Sequence, residues 1–446
     1  MGGDRDFEDL ERSRAQGAAG GTVTPPVRFD EALDRAIGYA VEHLDDLGRD
    51  VVIVRDLFGR IRIALGNDAV ACDQLGDELH PLLGAFSPGA TEIIMQRASL
   101  LAPDAIFGAA ELRRIAPGVR LLERWVIGAD WLRAPLPRAQ AKARRVAFFG
   151  IKGGVGRSTA LIAIARHLAE QGSRVLVVDL DLESPGVTAS LLPAGILPSF
   201  GVVDWFVEDD VGQADAGLLR ELVASSPLAT GTTGEIRVVP AGGTIGTENY
   251  VSKLARIYTA PPGKGGLAVR LARLLDELEA AEQPDWVLLD SRAGIHDLAA
   301  VAVTRLDATS LLFAIDTPQT WLAYRYLFAT WDKDPQLVRR FRDRLRVVAG
   351  QVPETDRERY LESLRDSASV LFEEYLYDAA DAKDDNAFNF DVGDRDAPHS
   401  PVPIYWRREL QGWDPTRDPP TVTPDQLRGA FGELLDYVDD TLASAT

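Results

Sequence analysis

The chain has 446 residues, of which 46% are hydrophobic and 26% charged, and its formal net charge at pH 7 is −20. This length exceeds one ordinary domain, so we expect two or three folded units. The acidic balance disfavours extended contact with nucleic acid, and no apolar run approaches the ~20 residues that a membrane-spanning helix needs. Cys72 is the only cysteine, which excludes an intrachain disulfide and a site built from paired thiols.

The first part of the chain predicts a tail followed by a small domain. Residues 1–27 are rich in Gly, Ala, Asp and Arg without hydrophobic periodicity, which is typical of a disordered tail. Their polar start lacks the pattern of a secretory leader, so we expect a cytoplasmic protein. Residues 28–137 predict a small α+β domain. Its elements are expected as a helix over 29–47, strands over 51–54 and 60–65, further helices, and a strand near 120–127.

This small domain carries no sequence sign of chemistry. It has no nucleotide loop, no Cys/His cluster and no nucleophile elbow, and Cys72 is expected to be a small buried apolar residue. We therefore interpret residues 28–137 as a regulatory or partner-binding domain.

A glycine-rich loop, KGGVGRST, begins at Lys152 between a predicted strand and a predicted helix. Its glycines lack the Cβ atoms that would keep backbone N–H groups away from a phosphate, and the N-terminus of the following helix attracts an anion. Lys152 and Arg157 supply positive charge, and Ser158 supplies a hydroxyl for a nucleotide-bound Mg²⁺. The residues expected to bind the nucleotide are Gly153, Gly154, Val155, Gly156, Arg157, Ser158 and Thr159.

The loop differs from the usual phosphate-binding pattern G-x-x-x-x-G-K-[ST] at its last basic residue. Arg157 stands where lysine is expected, and an additional Lys152 opens the motif. A guanidinium is bulkier and more rigidly forked than an ammonium, so it can hold phosphate oxygens without reproducing the lysine geometry. Slow or absent hydrolysis is therefore an open alternative.

Two downstream segments place carboxylates at the ends of predicted strands. RVLVVDLDLESPG carries Asp179 and Asp181, and WVLLDSRAG carries Asp290, Arg292 and Gly294. Open α/β sheets place their ligand crevice at the carboxyl ends of the strands. Taken alone, the aspartate pair is more typical of a solvated turn or a helix cap than of a functional site. Arg292 could pair with a phosphate, with Asp297 or with a partner chain, and a surface ion pair is at least as good an interpretation as a catalytic role.

Together, KGGVGRST, DLDLESPG and DSRAG resemble the ParA/MinD family of P-loop ATPases, which share the CobQ/CobB/MinD/ParA nucleotide-binding domain and a deviant Walker A loop. The resemblance implies a dimer that encloses two molecules of Mg·ATP, in which Lys152 reaches the nucleotide of the partner chain. It implies catalytic roles for Lys152, for Arg157 on the phosphates, and for Asp181, which orients the attacking water. It further implies that Ser158, Asp290 and Asp179 surround Mg²⁺ and that the Gly294 amide senses the terminal phosphate.

The alternating pattern of the remaining chain predicts the fold around these motifs. We expect a doubly wound, mostly parallel α/β sheet of the P-loop NTPase type over residues 138–446. Its strands are expected over 145–150, 174–179, 235–240, 285–290, 309–315 and 344–349. Where relatives have an asparagine that contacts the base, this chain has Gly350 and Gln351, so ATP is assigned by resemblance only.

The C-terminal extension is acidic. Residues 351–446 contain 22 acidic and nine basic side chains. The long loop 378–403 is interpreted either as solvated or as a docking segment for a partner. The final helix, expected over 424–442, has an acidic polar face, which disfavours a membrane anchor.

These observations predict a nucleotide-dependent dimerising switch that binds and hydrolyses ATP and acts on a protein partner through the N-terminal domain or the acidic C-terminal region. One alternative is a nucleotide-bound scaffold that does not hydrolyse ATP. A DNA-partitioning ATPase is a further alternative, which the net charge disfavours. A related tyrosine kinase ranks last because no tyrosine cluster follows Tyr437.

Overall fold

The computed structural model describes residues 25–67, 72–109, 111–138, 143–259, 263–379, 387–417 and 422–442. The expected tail, apart from residues 25–27, and the side chain of Cys72 lie outside the described part of the chain. The chain divides into two compact units, Met1–Val126 and Ile127–Thr446.

The boundary between the units lies at 126/127, earlier than the expected 137/138. The reason is the packing of the short 3-10 helix Ala129–Leu132 inside the second unit. Trp131 is 1% exposed, and its ring lies 5.7 Å from that of Phe149 and 5.9 Å from that of Trp331. The sequence pattern gave no sign that this tryptophan packs against residues far along the chain.

The first unit is an α+β domain with a five-stranded sheet in the order β3-β2-β1-β5-β4. Helix α1 ends five residues before the predicted end, and the two strands that were not predicted are only three and four residues long. Helices α1 and α2 pack on one face of the sheet, and α3 packs on the other. Its elements are α1 (Phe29–Glu42), β1 (Val51–Arg55), β2 (Ile61–Leu65), α2 (Cys72–Leu83), β3 (Ile94–Gln96), α3 (Asp104–Phe107), β4 (Arg113–Ala116) and β5 (Val119–Glu123).

The second unit contains an eight-stranded sheet in the order β13-β12-β11-β6-β10-β7-β9-β8. All neighbouring pairs are parallel except β8 with β9, so the predicted doubly wound α/β fold is correct. The two additional strands, β8 and β13, are short edge strands. The strands are β6 (Arg144–Gly150), β7 (Arg174–Leu180), β8 (Ala224–Ser225), β9 (Glu235–Val239), β10 (Trp286–Ser291), β11 (Thr309–Ala314), β12 (Leu345–Val352) and β13 (Val402–Tyr405).

Helices cover both faces of this sheet, as the continuous apolar runs of its strands require. One face packs against α4, α5 and α14, and the other packs against α6, α9, α10, α11 and α13. The helices are α4 (Arg157–Glu170), α5 (Gly186–Leu191), α6 (Val202–Asp210), α7 (Ala216–Glu221), α8 (Tyr250–Ile257), α9 (Leu267–Glu282), α10 (Asp297–Ala300), α11 (Pro318–Trp331), α12 (Pro335–Val338), α13 (Arg357–Tyr375) and α14 (Pro424–Tyr437).

The central strand β6 illustrates how the two layers are held. Val146 and Phe148 point into the layer of α4 and α14, whereas Ala147 and Phe149 point into the opposite layer. All four side chains are at most 2% exposed. Burial of this kind stabilises a fold by about 25 cal/mol per Å² of apolar surface. The strand is thereby fixed from both sides, and so is the loop that follows it.

The described part of the acidic loop 378–403 packs against the rest of the second unit. Asp378 accepts hydrogen bonds from Arg342, and these lower the pKa of the carboxyl to about 2. Arg346 donates to the carbonyls of Asp396 and Ala397, and His399 is completely buried. Residues 387–403 therefore pack at the edge of the sheet and do not form a solvated loop.

The final helix was predicted over 424–442. The structure has an α-helix to Tyr437 and a π-helical turn over Val438–Leu442. Its apolar residues Phe431 and Leu434 are buried against α4 and the sheet. None of the helices in the described ranges has the length and apolar character needed to cross a membrane.

We predict that Gly201→Ala destabilises the second unit by about 1–3 kcal/mol, the usual cost of overpacking. Gly201 precedes α6, and a Cβ atom there would lie 2.5 Å from the Cα atom of Gly242 and 2.6 Å from the carbonyl oxygen of Pro240. Both are backbone atoms that cannot turn away. The shift of the urea unfolding midpoint measures the effect.

Gly195→Ala is the matched control, because a Cβ atom at Gly195 meets no described atom within 4 Å. We expect its midpoint to shift so little that the free energy of unfolding changes by less than about 0.5 kcal/mol. Equal midpoints for the two variants would contradict the close packing at Gly201.

Candidate functional site

The glycine loop connects β6 to α4 at the carboxyl edge of the sheet. Gly154 and Gly156 have φ angles of 73° and 94°, a conformation that side chains disfavour, so glycine is required there. A Cβ atom at Gly153, Gly154 or Gly156 would meet no described atom within 4 Å. The loop therefore borders open space at the N-terminus of α4, where unpaired N–H groups and the helix dipole favour an anion.

Lys152 opens this loop and is half-buried. Its ammonium group makes no hydrogen bond or ion pair with any residue of the described part of the chain. A cation that the fold does not use is available for a ligand or for another protein chain. The structure is compatible with the role that the resemblance implies for Lys152, and that role stays a prediction.

The side chain of Arg157 points in a direction that the motif alone did not indicate. Its side chain is 7% exposed, and Nη1 donates a hydrogen bond of 2.5 Å to the carbonyl oxygen of Ser291. Nη2 lies 3.7 Å from Oδ2 of Asp181. Gly150 makes room for the arginine stem, since a Cβ atom there would lie 3.1 Å from its Cδ atom. The guanidinium thus connects the ends of β7 and β10 beneath the loop.

Ser158 and Asp290 form the contact between the loop helix and the central strand β10. The Ser158 hydroxyl donates to Oδ2 of Asp290 at 2.8 Å. Asp290 is 1% exposed, and its Oδ1 atom has no hydrogen-bond partner among the described residues. Burial raises the pKa of Asp290, and the charge of Arg157 and the hydrogen bond from Ser158 oppose that rise. An additional cation would stabilise this carboxylate further.

Asp179 lies beside Asp290 in the parallel register of β7 and β10 and is completely buried. Its Oδ1 atom accepts from the backbone N–H of Asp181 at 3.1 Å, and Oδ2 accepts from the N–H and the hydroxyl of Thr188 at 2.9 and 2.6 Å. Burial, followed by the nearby charge of Asp290, raises its pKa. Asp179 therefore holds the turn into α5, and its predicted place near Mg²⁺ stays a prediction.

Asp181 is positioned by that turn and is 9% exposed. Its Oδ1 atom is buried and has no hydrogen-bond partner within the described ranges. Burial raises the pKa of Asp181, while Arg157 and Arg292 oppose the rise. A carboxylate oxygen without a hydrogen-bond partner can accept a proton or a hydrogen bond from a water molecule that reaches it.

The segment after β10 connects to the segment after β7. Nη1 of Arg292 lies 2.9 Å from Oε1 of Glu183, which also accepts a hydrogen bond of 2.7 Å from the Tyr258 hydroxyl. Arg292 thus pairs with Glu183 and not with Asp297. The Gly294 N–H, expected to contact a phosphate, donates to the carbonyl oxygen of Gly150 at 3.0 Å. Phosphate contact by this amide would require a rearrangement.

Sequence reasoning missed several residues that shape the site. Thr188 follows Asp179 at a distance that no motif specifies, and Tyr258 lies in a segment without any motif. Gln351, considered only for base recognition, donates a side-chain hydrogen bond to the carbonyl oxygen of Gly154. The contacts of Tyr258 and Gln351 arise between segments far apart in sequence, so local patterns carry no signal for them.

The residues present fit a Mg²⁺ ion that is bound together with a nucleotide. The described residues contain no cluster of three or more His, Cys, Asp or Glu side chains that could hold a metal by themselves. Mg²⁺ is commonly held by one or two protein oxygens, with phosphates and water completing its octahedron. The Ser158 hydroxyl and the unpaired Oδ1 atom of Asp290 offer this donor set.

Comparison with known proteins gives matches over the same region. Residues 146–366 match the CobQ/CobB/MinD/ParA nucleotide binding domain. The chromosome-partitioning ATPase Soj of Thermus thermophilus is 29% identical over 195 residues, which are 41% of this chain and 74% of Soj. The antiactivator FleN of Pseudomonas aeruginosa is 30% identical over 173 residues, which are 39% of this chain and 51% of FleN. The chain thus spans about half the length of FleN.

Matches among solved structures include the pNOB8 ParA protein and a cobyrinic acid a,c-diamide synthase from Mycobacterium smegmatis with a bound ATP analog and magnesium. The first has 20% identity, covers 68% of this chain and 100% of its own, and has a TM-score of 0.42. The second has 19% identity, covers 68% and 97%, and has a TM-score of 0.39.

The family match spans all three motifs. It begins in β6, contains the glycine loop and both aspartate segments, and ends within α13. Residues 146–366 of this chain therefore form a CobQ/CobB/MinD/ParA nucleotide binding domain, the domain of the ParA/MinD proteins.

Proposed function

We propose that this protein binds and hydrolyses Mg·ATP and that ATP binding brings two copies together into a switch that acts on a protein partner. The observation that carries the proposal is the contact between Ser158 and Asp290, with one buried oxygen of Asp290 unpaired within the described chain, directly beside an open glycine loop. An anion and a divalent cation would be accommodated there side by side. We place this activity in the cytoplasm, where ATP is supplied.

The proposed binding step uses backbone groups and fixed charges. The free N–H groups of the loop and the N-terminus of α4 bind the phosphates. Ser158, through its hydroxyl, and Asp290, through its carboxylate, would hold Mg²⁺. Mg²⁺ would neutralise phosphate charge during the reaction. Lys152, which the fold leaves unpaired in the described chain, is assigned to the phosphates of the partner's nucleotide.

In the proposed hydrolytic step, Asp181 orients a water molecule in line with the terminal phosphate. Its free Oδ1 atom is the acceptor for the hydrogen bond from that water. Arg157 contacts Asp181 and the carbonyl oxygen of Ser291, so it is placed to connect the water-positioning group with the strand that holds Asp290. Orientation of this kind is the main protein contribution to phosphoryl transfer.

A nucleotide-bound protein without turnover is the second candidate. The position of Arg157 favours it, because the guanidinium is buried and already bound by Ser291 and Asp181. Release of this side chain toward a phosphate would break a charge-assisted contact. Tight binding of ATP without release of phosphate would identify this case.

A role in DNA partitioning, as the name of Soj suggests for that protein, is less well supported for this chain. A net charge of −20 opposes nonspecific contact with phosphate backbones. The acidic C-terminal region and the first unit are the proposed contact regions for a protein partner.

We predict that the wild-type protein releases phosphate from Mg·ATP and doubles its mass in solution when ATP is bound. Lys152→Ala should abolish the ATP-dependent doubling, because its ammonium is assigned to the partner's nucleotide. Asp181→Ala should lower the rate of phosphate release at least about 100-fold, the scale of a positioned proton-accepting group, while ATP binding is retained. Phosphate release and light scattering measure the two effects.

Lys333→Ala is the matched control for Lys152→Ala. Lys333 follows the C-terminal end of α11, on the far side of the crossover from the carboxyl edge of the sheet. Its turnover and dimerisation should equal those of the wild type. A wild-type protein that binds no nucleotide would refute both candidate functions.

We further predict that Asp290→Asn removes the dependence of nucleotide affinity on Mg²⁺. The wild type should bind ADP more tightly with Mg²⁺ than with EDTA. In the variant, the ratio of these two affinities should be about 10–100-fold smaller, the scale for residues that support a metal site. Calorimetric titrations with and without Mg²⁺ measure this ratio.

Asp285→Asn is the control, because Asp285 precedes the same strand at its other end, where its carboxylate accepts a hydrogen bond from the Arg174 N–H. Equal Mg²⁺ dependence in the two variants would argue against Asp290 as a metal-organising residue.

A further inference from the structure

The end of β12 lies directly against the glycine loop. Gly350 has no side chain to separate them, and a Cβ atom there would lie 2.4 Å from the carbonyl oxygen of Val155. The next residue, Gln351, donates a hydrogen bond from Nε2 to the carbonyl oxygen of Gly154. Two consecutive residues of β12 thus meet two consecutive carbonyls of the loop.

Gln351 has a backbone conformation that glutamine disfavours. Its φ angle is 53°, in the left-handed region where glycine is the favoured residue. It lies where the pairing of β12 with β13 shifts register, between Ala349 and Val352. A requirement for the backbone alone would be met better by glycine. The side chain of Gln351 therefore has a role beyond the backbone conformation at this position, and the contact that it makes is with the glycine loop.

The contact fixes the orientation of one peptide group. In a planar trans peptide, the C=O and the N–H of the same unit point in opposite directions. The Gly154 carbonyl is directed at Gln351, so the N–H of Val155 points away from β12. Gly154 has a φ angle of 73°, and glycine allows the neighbouring peptide to rotate. A rotated peptide would present a carbonyl oxygen where the phosphate is expected and would repel it.

We propose that Gln351 is a positioning residue that holds the 154–155 peptide with its N–H toward the phosphates of the bound nucleotide. The inference rests on the proposed function, since it requires a phosphate at the loop. It assigns Gln351 to recognition of the phosphate chain and not of the base. The side chain acts through the loop backbone and does not itself contact the nucleotide.

The test uses Gln351→Gly and Gln351→Asn in the full-length protein. Glycine preserves the backbone conformation and removes the donor, and asparagine tolerates the same conformation with a side chain one methylene shorter. We expect both variants to bind Mg·ADP about 3–10-fold more weakly, the effect of one lost hydrogen bond. The urea unfolding midpoint of Gln351→Gly should equal or exceed that of the wild type, because positive φ is relieved.

Gln283→Gly is the matched control. Gln283 has a φ angle of 48° at the C-terminal end of α9, and its side chain donates to the carbonyls of Glu279 and Ala280. The same substitution in the same backbone conformation should leave affinity for Mg·ADP unchanged. An equal loss of affinity in Gln283→Gly would overturn the inference, because the effect would then not depend on the loop.

A second probe, inorganic triphosphate with Mg²⁺, separates the phosphate chain from the base. In Gln351→Gly, the dissociation constant of triphosphate, obtained from its displacement of ADP after correction for the ADP affinity of the variant, should rise by the same factor as that of ADP. A loss for ADP alone would assign Gln351 to the base and overturn the inference. Unchanged ADP affinity in Gln351→Gly, with normal binding by the wild type, would overturn this inference alone. A wild-type protein that binds neither probe would overturn the proposed function together with it.

Discussion

The arrangement of the site depends on the burial of two neighbouring carboxylates at the ends of parallel strands. Asp179 and Asp290 lie side by side in the register of β7 and β10, and both are withdrawn from water. Burial of a charged group is costly unless it is hydrogen-bonded or paired. Both oxygens of Asp179 accept hydrogen bonds from the turn into α5, whereas only one oxygen of Asp290 accepts a hydrogen bond, from the Ser158 hydroxyl. The sheet therefore presents one satisfied and one incompletely satisfied carboxylate at the same edge.

Arg157 offsets part of the cost of burying Asp290, one member of this pair, and acts in the same way on Asp181. Its charge opposes the rise in pKa of Asp290 and of Asp181. The same guanidinium binds the carbonyl oxygen of Ser291, so a single side chain connects the segments after β7 and β10. The ion pair of Arg292 with Glu183 connects them a second time, farther out. Movement of either segment is thus coupled to movement of the other.

The fold and the location of the site could be predicted because the relevant signals are local. The strand before Lys152, the glycines after it and the apolar runs before Asp179 and Asp290 are each readable from a few consecutive residues. The direction of Arg157 and the contact of Gln351 with the loop could not be predicted, since they depend on residues more than 100 positions away. The division between the two compact units lies earlier than the expected 137/138 for the same reason, because Trp131 packs against Trp331. Strand β13 escaped prediction because it is four residues long and contains a proline.

The position of β13 has a consequence for how the protein is made. This strand flanks β12, and the backbone of Trp406 after it bonds to Val352, one residue beyond Gln351. During synthesis the glycine loop leaves the ribosome long before residues 402–406 do, and parallel pairing between distant segments forms late. A nascent chain would therefore display its phosphate loop while the neighbouring strand edge is still unpaired. Premature termination in the acidic region would release a chain whose loop sequence is intact but whose sheet lacks its last strand.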